Sequence, residues 1–138
     1  MIEFAIFAPA MILLFMGMVE LGRFITYSII AEWAARVGAG YGAQSLSTAA
    51  DTNGMKQWAS NDAEYLPRPY LVTAQTLCSV NGAMPPVLCV PNPNGPPANT
   101  VYYAQVQVTS QYAPWIAYPG IPNLVNISGT SYQQVYQQ

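Results

Sequence analysis

Residues 4–19 read FAIFAPAMILLFMGMV, sixteen residues without a charge, with Glu3 directly before them and Glu20 directly after. At 1.5 Å per residue such a run makes a helix about 24 Å long. A bilayer core is about 30 Å thick and takes about 20 residues to cross. The run is slightly short alone, but the apolar pattern continues past Glu20 and Arg23 through FITYSIIA at 24–31. A secretory signal peptide has a different order: basic residues first, then a short apolar segment and a small-residue cleavage site. Here an acid comes first and the helical pattern continues. The expected first element is a long hydrophobic helix over residues 1–50 that spans a membrane, followed by an exposed globular region over 51–138.

The charges within this helix are spaced to neutralise one another. Glu20 and Arg23 are three apart, and Glu32 and Arg36 are four apart, so each pair meets on one helix face. Paired charges are tolerable near a membrane boundary, where long side chains also reach the headgroups. Pro9 removes one backbone donor and is expected to kink or loosen the first turns. Ala34, Gly38 and Gly42 recur at four-residue spacing beside a stripe of Ala31, Ala35 and Ala39, small residues that let helices approach closely. Arg23 and Arg36 follow the span and would, read alone, place the C-terminal part in the cytoplasm. The cysteines argue for export, and a basic leader in a precursor, later removed, reconciles the two.

Beyond the helix, composition excludes more than it assigns. The chain has 138 residues and a formal net charge of −2, so there is no basic excess for nucleic acid. It has no histidine, the commonest catalytic base and metal ligand. No phosphate loop, nucleophile elbow or paired carboxylates on a polar surface point to an enzyme or a cofactor. No charged side chain follows Arg68. A soluble monomer normally uses charge to stay dispersed; the long uncharged tail suits either a plain polar surface of Gln, Asn, Ser, Thr and Tyr, or a surface that packs on copies of itself, is coated with sugar or faces an extreme pH. Cys78 and Cys89 are too far apart for a redox pair and too few for a zinc site. In an exported region they form one disulfide, closing a short loop worth roughly 3 kcal/mol on the chain-entropy model.

The remaining pattern predicts an α+β fold. Asp51, Thr52 and Asn53 cap a short helix over 53–66, with Met55, Trp58, Ala59 and Leu66 on one face and Pro67 and Pro69 ending it. YLVTAQTLCSV, 70–80, is rich in β-branched and aromatic residues and reads as a strand. Residues 81–99, rich in proline, read as a loop tethered by Cys89. TVYYAQVQVTSQY, 100–112, alternates apolar and polar and is the clearest strand. LVNISGTSYQQVY, 124–136, reads as a last strand weakened by Gly129. About three antiparallel strands then pack one face on the long helix. Asn126-Ile127-Ser128 matches the N-glycosylation sequon by residue type.

IEFAIFAPAMILLFMGMVELGRF resembles the start of TadE-like pilins, the pseudopilins of tight-adherence pilus systems within the type IV pilus superfamily. The resemblance rests on Glu3-Phe4, the early Pro9, Glu20-Leu21-Gly22-Arg23 and Ala34-Ala35-Arg36-Val37-Gly38, and covers about the first forty residues. It implies a precursor cut by a prepilin peptidase in the inner membrane. It also implies assembly, through the N-terminal helix, into an extracellular filament of copies of the chain or related pilins, with Glu3 guiding the docking. A minor or initiating subunit fits the same sequence logic. So does a reading of a different class, a single-pass anchored binding or adhesion module that never polymerises. Shear sensitivity separates them, since filaments shear off cells and an anchored monomer does not.

Overall fold

The computed structural model describes residues 2–80, 85–89, 99–115 and 122–135, and the side chains from residue 7 onward among them. Helix α1 spans Ile2–Gly42, 41 residues and about 60 Å, and runs unbroken through Pro9. The proline costs the one bond that the residue 9 nitrogen would make to the residue 5 carbonyl, and the helix continues past it. Helix α2, Leu46–Ala50, was not anticipated. Ser45 caps it, accepting from the Thr48 N–H while the Thr48 hydroxyl accepts from the Ser45 N–H. Helix α3, Thr52–Asp62, starts on Asp51, whose side chain accepts from the Gly54 N–H at 2.9 Å. It ends before Leu66, which closes a turn onto the Ala63 carbonyl.

The strands are β1 (Tyr70–Val80), β2 (Val87–Leu88), β3 (Thr100–Tyr112) and β4 (Val125–Gln134). They form one antiparallel sheet in the order β2-β1-β3-β4. The sheet therefore has four strands rather than about three. The addition, β2, falls in the stretch read as loop. A bond between Cys78 and Cys89 holds that stretch against β1, with Leu77 opposite Leu88 and Cys78 opposite Val87. A two-residue strand has no periodicity to read; a covalent tether supplies its register instead.

The C-terminal half of α1 and all of α3 cover one face of the sheet. The alternation of β3 decides which face: Ala104, Val106 and Val108 are fully buried, opposite Thr76, Ala74 and Val72 of β1. Ile127 on β4 completes this inner surface. The helices answer with small residues, Ala31, Ala34, Ala35, Ala39 and Ala59, all fully buried. The core is thin as a result, and Met55, Val106 and Val108 are its largest fully buried side chains. Two hydroxyls tie the layers: Thr76 donates to the Ala49 carbonyl at 2.5 Å and Ser110 to the Pro67 carbonyl at 2.6 Å.

The outer face of the sheet carries Thr73, Gln75, Gln105, Gln107, Thr109, Gln111, Ser128 and Thr130, exposed or half-buried, without a charge among them. Gln75 donates to Gln105, which donates to the Tyr132 hydroxyl at 2.9 Å. These cross-strand side-chain bonds add to the pairing of the strands across a neutral surface.

Candidate functional site

The first half of α1 leaves the folded layers as a bare rod. Phe7, Met11, Leu13, Phe15 and Met18 are each at least 60 % exposed. Among the described residues one helix, Phe7–Gly42, is long and apolar enough to cross a membrane. The rod's apolar surface does not stop where the domain begins. Leu14, Met18, Ile25, Ile29 and Trp33 follow along α1 at spacings of four and seven, all exposed. Thr26 and Ser28 do not interrupt this side with free polar groups, because their hydroxyls donate to the Gly22 and Phe24 carbonyls at 2.9 Å. The stripe ends at the Glu32–Arg36 pair, 3.7 Å apart and more than 60 % exposed, too solvated to contribute much stability.

Glu20 and Arg23 face the other way, toward the base of the domain, which keeps the stripe free of charge. Their side chains are 3.2 Å apart and only 14 % and 24 % exposed. Glu20 also accepts from the Trp115 N–H at 2.8 Å, and its carbonyl accepts from the Tyr112 hydroxyl at 3.4 Å. The Arg23 guanidinium lies 3.7 Å from the centre of the Trp115 ring and 5.5 Å from that of Tyr112. Phe24 and Tyr27 pack against Tyr112 from the next turn. Burial first, and then the adjacent Glu20, push the Tyr112 hydroxyl up to about 12. The pair read from sequence as a local i,i+3 contact thus sits in a knot that joins α1 to the end of β3, more than ninety residues away. Nothing at helical spacing signals that partner; only the unusual density of aromatics around residues 112–115 hints at it.

The small residues of α1 make their close contacts inside the chain. A side chain on Gly38 would meet the Ala59 Cβ and the Met55 carbonyl at 2.8 Å, so α1 and α3 cross there at backbone distance. Gly42 abuts Met55 and Ala104. Ala34 is fully buried in the same interface. Gly129 is the counterpart on the sheet. A side chain there would run into the backbone of Ala31 and Glu32, so the residue read as a weakness in β4 is where α1 rests on the strand.

Of the other sequence-predicted residues, Cys78 and Cys89 are bonded, with Cα atoms 5.0 Å apart. Asn126 is exposed on β4 opposite Gln111. The Glu3 side chain lies outside the described residues.

Residues 1–40 match the pattern of the family described as TadE-like protein. No curated protein and no solved structure matches the chain.

Proposed function

On the premise that the first forty residues are TadE-like, we propose that this chain is a structural, non-enzymatic subunit of a pilus. Its α1 first spans the inner membrane and then exchanges lipid for neighbouring helices in an extracellular filament. The observation that carries the reading is the charge-free exposed stripe of α1 from Phe7 to Ile29, bare of any partner among the described residues. Its nearest charges, Glu20 and Arg23, are satisfied on the domain side. Moving such a surface from lipid into a bundle of like helices keeps apolar area out of water throughout, so little hydrophobic free energy is lost in the transfer. The neutral Gln- and Thr-rich outer face of the sheet then points away from the bundle and forms the filament surface. Copies of the chain or related pilins are the partners in the filament. A prepilin peptidase and the inner-membrane assembly machinery are the partners before it. Glu3 selects the docked position, because a carboxylate in an apolar bundle is tolerated only where it is neutral or paired.

The test is mechanical shear of cells making the chain, followed by imaging and mass spectrometry of the sheared material. Filaments that contain the chain support the proposal. A chain that stays wholly in the membrane fraction refutes it and leaves the anchored binding module as the reading.

A further inference from the structure

Beside the knot, Arg23 and Arg68 line one open groove of about 430 Å³, with Tyr65, Tyr112 and Leu124 on its walls. Arg23 is held by Glu20, whereas Arg68 has no ion-pair partner among the described residues. At the same end of the domain Tyr65, Trp115 and Leu124 are 78 %, 71 % and 55 % exposed. Large exposed side chains of this kind, mixed with arginine, are the composition of a membrane–water interface, where an aromatic ring sits at headgroup depth and a guanidinium meets phosphate.

The length of α1 places this end at that depth. A hydrocarbon core of about 30 Å takes about 20 helical residues. Centred on the charge-free run 4–19, between Glu3 and Glu20, such a core reaches as far as Leu21. Arg23 lies two residues further on, in the headgroup layer. Pro114, beside Trp115, shares a second, apolar groove with Gly17, Leu21 and Phe24, so the base of the domain reaches down to the edge of the hydrocarbon. Glu20 would be costly there if bare, but it is mostly buried and bonded to Arg23 and the Trp115 N–H.

We infer that the base of the domain is a lipid-facing surface: before assembly Trp115 and Leu124 dip into the outer boundary of the bilayer, and the groove of Arg23 and Arg68 takes a phospholipid phosphate. The inference rests on the reading of α1 as a membrane span. It adds that the folded domain is not held clear of the bilayer but seated on it, so leaving for a filament means breaking a second contact besides that of the rod.

The full chain in nanodiscs, one copy per disc, tests this with single-tryptophan variants and brominated phospholipids. Trp33→Phe with Trp58→Phe leaves Trp115 as the only indole. Its emission should be lost mainly with lipid brominated near the headgroup. Phe15→Trp, in a background with all three native tryptophans replaced by Phe, should be quenched mainly by lipid brominated near the chain end. Trp33 alone, about 18 Å above Leu21 along α1, should keep its emission. Arg68→Glu should weaken the quenching of Trp115 and leave that of Phe15→Trp unchanged. Quenching at position 15 with none at Trp115 overturns the inference while keeping the span. Quenching at neither position removes the span and the inference together. An Arg68→Glu variant that quenches like its parent refutes the phosphate groove. Cross-linking of position 115 to a second chain when two copies share a disc, with Trp115 unquenched, would give the surface to another copy instead.

Discussion

Gly129→Ala is the sharpest probe of how α1 is held. In an open strand this change should help, since glycine costs roughly 0.5–1 kcal/mol relative to alanine inside regular structure. At Gly129 the added Cβ falls well inside van der Waals contact with the Ala31 carbonyl group and the Glu32 nitrogen. These are backbone atoms of a helix, so no rotamer change relieves the overlap. α1 must move off β4 by on the order of 1 Å to restore ordinary contact, and a gap of that size forfeits a quarter to a half of the dispersion well for every atom pair across it. The interface affected includes Ala31, Ala35, Val108 and Ile127, all buried. Overpacking of this kind typically costs 1–3 kcal/mol, and the rigid backbone partner puts the expected loss near the top, at about 3 kcal/mol. Urea titration of the full chain in detergent, followed by circular dichroism of the sheet, measures it. Thr130→Ala, one residue on and exposed, should change stability by no more than about 0.5 kcal/mol. Ala31→Gly should not rescue Gly129→Ala, because the obstacle is main chain rather than a methyl group. A Gly129→Ala variant as stable as its parent would show that α1 does not rest on β4 at this point.

Three further outcomes are expected. Cys78→Ser with Cys89→Ser should destabilise the chain by about 3 kcal/mol. The parent should fall to the same midpoint in excess reductant and the double variant should not respond. Tyr112 titrates at about 12 in the folded chain against about 10 unfolded. The folded state therefore holds the proton more tightly; the associated stability is intact below pH 10 and is lost as pH rises through 12. Urea midpoints taken across that range should decline in the parent and decline less in Tyr112→Phe. Glu3→Ala should leave the amount of membrane-bound chain unchanged, since removing a charge eases insertion, and strongly lower the ratio of sheared to membrane-bound chain. Wild-type shedding from Glu3→Ala cells would show that apolar packing alone sets the register.

Local signals carried much of the fold. The alternation in β3 and the β-branched content of β1 are properties of a few adjacent residues, and Asp51 marks the start of α3 by its own side chain. β2 and α2 are not legible because each is too short to show a period; one depends on a disulfide and the other on a capping box of Ser45 and Thr48, residue types too common to mark a helix by themselves. Gly129 is ambiguous in sequence: a missing side chain looks the same whether it weakens a strand or makes room for a helix. The spacing of Glu20 and Arg23 permitted their contact. The Trp115 ring and N–H that complete the knot could not be inferred, since no local rule links residues at opposite ends of a chain. The small-residue stripe of α1 signalled close packing but not its partner, which within this chain is α3 and the sheet.

The seating of α1 on Gly129, Ala59 and Ala104 makes rod and sheet one stiff lever with a fixed phase. Each residue of helix turns the chain by about 100°. A single residue inserted between Gly17 and Glu20 would swing the neutral Gln and Thr face about a third of a revolution around the rod while leaving both halves folded. Whatever surface a bundle of such rods displays is therefore dialled by the rotational setting of α1 far below, and one inserted residue would be enough to turn that face from the exterior toward a neighbour.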